Sequence, residues 1–130
     1  MSVFVGFVAR EDGRAALRSG VEEAKRRGVP LKVVAVAKIG AGGASGESVL
    51  DLRQELATIE EDLRAQGTDC EAKEVLSTGH PSEALLEEAK GADVVVIGLR
   101  NRSAVGKLIM GSVAQDVLVS APCPVLEVKH

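Results

Sequence analysis

Three short apolar runs, Val3 to Val8, Leu31 to Ala37 and Val94 to Ile97, punctuate an otherwise mixed chain. Each is nearly continuous and rich in β-branched residues, the pattern of parallel strands buried on both faces. Two further runs differ. Cys70 to Leu76 alternates with Glu71 and Lys73, and Val125 to Val128 follows Pro122 and Pro124 and carries Glu127. Both patterns predict edge strands.

Helical periodicity fills the intervals. Leu17, Val21 and Ala24 form the stripe of a first helix that stops at Gly28 behind Arg26 and Arg27. Val49, Leu52, Leu56, Ile59 and Leu63 recur at steps of three and four in a second helix that ends at Gly67. Pro81 takes the first position of a third helix carrying Leu85, Leu86 and Ala89 and closing at Gly91. Ser112 and Gln115 have the spacing of a capping box ahead of Val113, Val117 and Leu118, a fourth helix. By the same reasoning Asp12 caps the first. Strict alternation of five strands and four helices predicts one α/β domain over residues 1–130, a doubly wound parallel sheet with helices on both faces.

Composition narrows the function classes. The 130 residues include two Phe, no Tyr and no Trp, which argues against base-stacking recognition of nucleic acid. A formal net charge of −3 provides no global field for nucleic acid or an anionic membrane. No apolar run approaches the length of a membrane span, and Met1 leads into the first strand without a basic segment, so a cytoplasmic location is expected. Cys70 and Cys123 are far apart in sequence and predict buried free thiols. Two cysteines and two histidines give no metal-ligand spacing, and His80 and His130 form no nucleophile–base pair, so catalysis is not expected.

In open α/β sheets a ligand binds beyond the carboxyl ends of the strands. Of the loops there, Gly98 to Gly111 is the most informative. It leaves a buried strand, enters a helix start, and holds Arg100, Arg102 and Lys107 with no acid, a local concentration of positive charge that favours an anion. Two near-motifs fail. Asn101 to Leu108 imitates a Walker loop, but Asn101 stands at its first glycine and Leu108 where the magnesium-binding hydroxyl belongs. Gly40 to Gly46 misses the dinucleotide fingerprint because Ser45 occupies the last glycine position, and reads as a flexible connector.

Three segments together resemble the universal stress protein family over essentially the full length. They are Ala92 to Gly98, the loop ending in Lys107-Leu-Ile-Met-Gly111-Ser112-Val113-Ala114, and the closing Ala121-Pro-Cys-Pro-Val-Leu126. The ATP-binding branch of that family shows glycine, two residues, glycine, nine residues, then glycine with Ser or Thr. Here Gly98, Asn101, Gly111 and Ser112 keep the spacing, with Asn101 at the second glycine. The resemblance implies a flavodoxin-like fold with strand order 3-2-1-4-5 and binding of an adenine nucleotide, ATP or AMP. It implies that backbone amides near Gly111 and Val113 and the Ser112 hydroxyl hold phosphates. Gly98 would allow close approach, and Val36 would line the base pocket. Arg100, Asn101 and Lys107 complete the candidate nucleotide-binding set. Members of that branch usually end the first strand with Asp, whereas this chain has Val8-Ala9-Arg10, so the sequence gives magnesium no evident partner.

The resemblance also implies a homodimer through the last strand and a regulatory role in stress, with an unidentified protein partner. The residues agree with the former, since Val125, Leu126 and Val128 form a short apolar edge. Two competing readings stand beside nucleotide regulation. One is the same fold with an empty crevice acting through protein contacts, and the other is slow ATP hydrolysis.

Overall fold

The computed structural model describes residues 1–40, 42–43, 45–101, 108–109 and 111–129, with 100–101 and 108–109 described as backbone only. The elements are β1 (Val3–Gly6), α1 (Glu11–Arg27), β2 (Leu31–Lys38), α2 (Gly46–Ala65), β3 (Cys70–Ser77), α3 (Pro81–Glu88), β4 (Val94–Gly98), β5 (Arg100–Asn101), β6 (Leu108–Ile109), α4 (Ser112–Ser120) and β7 (Val125–Val128). Five strands form one sheet in the order β3-β2-β1-β4-β7, every neighbouring pair parallel. This is the expected order, with β7 as the fifth strand. The two edge assignments also hold: β3 and β7 flank the sheet.

Alternation along the strands divides the core in two. One face of the sheet presents Val5, Val33 and Val96 to Ala16 and Ala24 of α1 and Leu56 of α2. The other presents Phe4, Val34, Val95 and Ile97 to Leu85 and Ala89 of α3 and Val117 of α4. The central strands are buried on both sides, which is why their runs are continuous rather than alternating. Gly28 ends α1 in the left-handed conformation, φ 66°, where a β-carbon would be strained. On the α3 side, Glu88 bridges Lys73 at 2.7 Å and Lys32 at 3.2 Å, tying that helix to β3 and β2. The hydrogen bond from Lys73, then the hydrogen bond from Lys32 and the charge of both lysines, hold its carboxyl below the ordinary value against the desolvation of burial.

Several local expectations need correction. β1 ends at Gly6 rather than Val8, although Phe7 N–H still donates to Val34 O at 2.9 Å. The second helix starts one turn earlier than its apolar stripe, at Gly46, because the Ser45 hydroxyl accepts from Ser48 N–H and caps it. Gly46 of the glycine-rich connector is therefore helical. The segment after β4 is not one open loop: Arg100–Asn101 pairs antiparallel with Leu108–Ile109. Both thiols are free; Cys70 is buried and Cys123 half-buried. Among the described residues, no helix is long and apolar enough to cross a membrane.

Candidate functional site

The sheet order reverses between β1 and β4, and a cavity of about 320 Å³ opens at their carboxyl ends on the α3/α4 side. Its floor is Gly6, Phe7, Ile97 and Gly98, with Val36 from β2. Leu85 and Pro81 of α3 form one wall. Arg10 and Asp12 enter from the start of α1, and Gly111, Ser112, Val113 and Ala114 from the start of α4. The lining is thus apolar at the strands and at α3, and polar at the beginnings of α1 and α4. A second cavity of about 370 Å³ lies on the α2 side and shares Phe7, Val8 and Val36.

The helix beginnings differ from expectation in an instructive way. Ser112 is not the N-cap of α4. Gly111 holds that place with extended backbone (φ −68°, ψ 163°), and Ser112 is the first helical residue, with no capping box to Gln115. Gly111 has no side chain to bond the first N–H groups, and the first turn contains no acid. The N–H groups of the opening turn have no intrahelical acceptor, and the helix dipole adds partial positive charge there. Asp12 is likewise not the cap of α1. Arg10 is, without a side-chain cap, and Asp12 is the second helical residue and buried. Its carboxylate accepts from Arg10 Nε at 3.2 Å and Nη2 at 3.4 Å. His80 precedes Pro81 at the start of α3, again with no side-chain cap. Buried Ser82 donates to Asp116 at 2.8 Å and locks α3 to α4.

Of the residues expected at the site, Val36, Gly98, Gly111, Ser112 and Val113 all line this cavity. Gly98 has a further reason to be glycine. A β-carbon there would stand 2.0 Å from the carbonyl oxygen of Asp12, so the first turn of α1 rests directly on β4. A β-carbon on Gly111 would meet nothing within 4 Å among the described residues. Arg100 and Asn101 lie in β5 with their side chains outside the described residues, and Lys107 and Arg102 are outside them altogether. The two-contact pair of Arg10 with Asp12 has no signal in the sequence beyond the spacing of the two residues.

The last strand lies away from this crevice. Leu126 is 37% exposed, while Val125 packs against the α3/α4 core and Val128 against the α1/α2 core. Of the three residues expected at an interface, Leu126 is therefore the exposed one. Oε1 of Glu127 is buried with no hydrogen-bond partner among the described residues.

Residues 2–129 match the model of the universal stress protein family. A universal stress protein of Mycolicibacterium smegmatis is 36% identical over 132 residues, covering 98% of this chain and 96% of that protein. The structure of a universal stress protein from Archaeoglobus fulgidus superposes with a TM-score of 0.85 at 32% identity, covering 99% of this chain and 98% of that one. The Archaeoglobus fulgidus universal stress protein in complex with dAMP gives a TM-score of 0.79 at 28% identity, with the same coverage.

Proposed function

Because this chain belongs to the universal stress protein family, we propose that its crevice binds an adenine nucleotide, ATP or AMP, and that occupancy serves a stress-response regulatory role. The observation that carries this reading is the cavity at the β1/β4 switch point, into which α4 opens with a side-chain-free cap and an acid-free first turn. The N–H groups of Val113 and its neighbours and the Ser112 hydroxyl would hold phosphate oxygens. Val36, Leu85 and Ile97 offer apolar surface for the base. Arg100, Asn101 and Lys107 belong to the segment that leads into α4 and add donors and charge. The dAMP complex of a relative 28% identical in sequence supports the ligand class.

The reading is binding rather than turnover. Asp12 is the carboxylate among the described lining residues, and Arg10 engages both its oxygens, which leaves it poorly placed to orient water. We also propose a homodimer through β7, whose outer edge has no strand partner among the described residues and whose exposed Leu126, and Glu127 Oε1, buried with no partner among them, would gain contacts from a second copy.

Equilibrium binding of labelled ATP and AMP to nucleotide-stripped protein tests the ligand, together with a mass spectrum of small molecules released on denaturing fresh protein. Saturable binding of one nucleotide per chain is expected. No saturable binding up to about 1 mM, which corresponds to roughly 4 kcal/mol, overturns the reading in favour of a crevice that works without nucleotide.

A further inference from the structure

The described lining of the switch-point cavity contains one cationic side chain, Arg10, and one carboxylate, Asp12, and the two are bonded to each other. Asp12 is 9% exposed at its side chain and Arg10 is 50% exposed. The turn that presents them is fixed by backbone. Arg10 N–H donates to Val8 O at 2.8 Å, and Arg14 N–H donates to Arg10 O at 2.9 Å. A β-carbon on Gly13 would collide with the carbonyl oxygen of Val8, so the chain closes tightly on itself here. Arg10 is therefore held by its backbone on one side and by a buried carboxylate on the other.

We infer that Arg10 supplies the counter-charge for the nucleotide's phosphates and that the site takes its adenine nucleotide without a magnesium ion. The inference rests on the nucleotide reading above and deepens it. Guanidinium has five N–H donors, of which Asp12 takes two, and the remainder match phosphate oxygens in a planar fork. Magnesium needs near-octahedral oxygen ligation and is usually held through one or two carboxylates besides the phosphates. The residues do not fit that demand. Among the described residues no group of three or more His, Cys, Asp or Glu could hold a metal. An ion drawn to Asp12 would have to displace Arg10 and then sit beside its positive charge. Asp12 acts as a positioning residue: it orients the fork instead of ligating a cation.

The test uses the nucleotide-stripped full chain with adenosine, AMP and ATP, each titrated in EDTA and in excess magnesium. Wild-type affinity for AMP and ATP is expected to change by less than about twofold between the two conditions. Arg10→Ala should weaken AMP by about tenfold or more, the scale of a charge-assisted hydrogen bond, while adenosine binding stays within about twofold. Arg10→Lys keeps the charge but not the fork and should fall between the two. Magnesium tightening of ATP beyond about fivefold would overturn the inference. So would equal losses for adenosine and AMP in Arg10→Ala, which would mark a purely structural residue, or an unchanged AMP affinity. In all of these outcomes the nucleotide reading survives. Failure of wild-type protein to bind any of the three ligands removes that reading and this inference with it.

Discussion

Gly98 and Gly111 have opposite reasons to be glycine at the cavity, and substitution should separate them. In Gly98→Ala the new β-carbon would lie 2.0 Å from Asp12 O and 2.6 Å from Asp12 C, backbone atoms that no rotamer change can move. Carbon–oxygen contacts settle near 3.3 Å, so β4 and the first turn of α1 must part by roughly 1.3 Å. Overpacking of this kind costs about 1–3 kcal/mol, and backbone against backbone belongs at the upper end. Alanine recovers about 0.5–1 kcal/mol of the conformational cost of glycine in a strand. A net loss of about 2 kcal/mol remains, which lowers a urea midpoint by about 1 M if the slope is near 2 kcal/mol/M. Gly111 has φ −68° and open space around its β position, so Gly111→Ala should stay within about 1 kcal/mol of wild type. Gly111→Val should remain folded yet lose more than tenfold in nucleotide affinity, about 1.4 kcal/mol, because the added bulk faces the cavity. Urea unfolding followed by circular dichroism, paired with nucleotide titration, reads both effects. A Gly98→Ala protein as stable as wild type would refute the close seating of α1 on β4. A Gly111→Val protein that binds normally would move the phosphates away from α4.

Three other outcomes concern the thiols and the sheet edges. Burial pushes the Cys70 thiol up to about 11 and raises the half-buried Cys123 thiol as well, so in the folded protein Cys123 should react slowly with a thiol reagent at alkaline pH, and Cys70 only on denaturation. Since the folded value lies above the unfolded one, stability is fully present below pH 9 and declines towards pH 11, by about 2 kcal/mol; Cys70→Ala should flatten that decline, and an unchanged profile would assign it elsewhere. Leu126→Lys places charge on the exposed edge of β7 and should give monomers in analytical ultracentrifugation, whereas a surviving dimer must use another surface.

The strands were legible because the central ones are buried on both faces. Val33, Val34 and Val94 to Ile97 have no solvent side to interrupt them with polar residues, so burial itself writes the run. β3 was equally legible through its alternation, with Glu71 exposed and Cys70 buried. Ends were harder. β2 and β3 each extend one residue beyond their apolar runs, to Lys38 and Ser77, because ladder hydrogen bonds continue after hydrophobicity stops. The β5/β6 pairing left no periodic trace because two-residue strands are too short to carry one.

Capping chemistry misled at Asp12 and Ser112, and for one physical reason. Both were assigned as caps by what their side chains can accept, whereas the cap position is set by backbone geometry, and the backbone gives it to Arg10 and Gly111. Where a helix start lies away from the switch point, as at α2, the ordinary rule works: Ser45 accepts from Ser48 N–H. At the switch-point cavity α1, α3 and α4 all begin without a side-chain cap, from Arg10, His80 and Gly111. A side-chain cap satisfies N–H groups that a bound anion would otherwise satisfy, so a helix that must receive phosphate gains nothing from carrying one. The local rules fail together at one end of one sheet, and that coincidence is itself an argument for a ligand there.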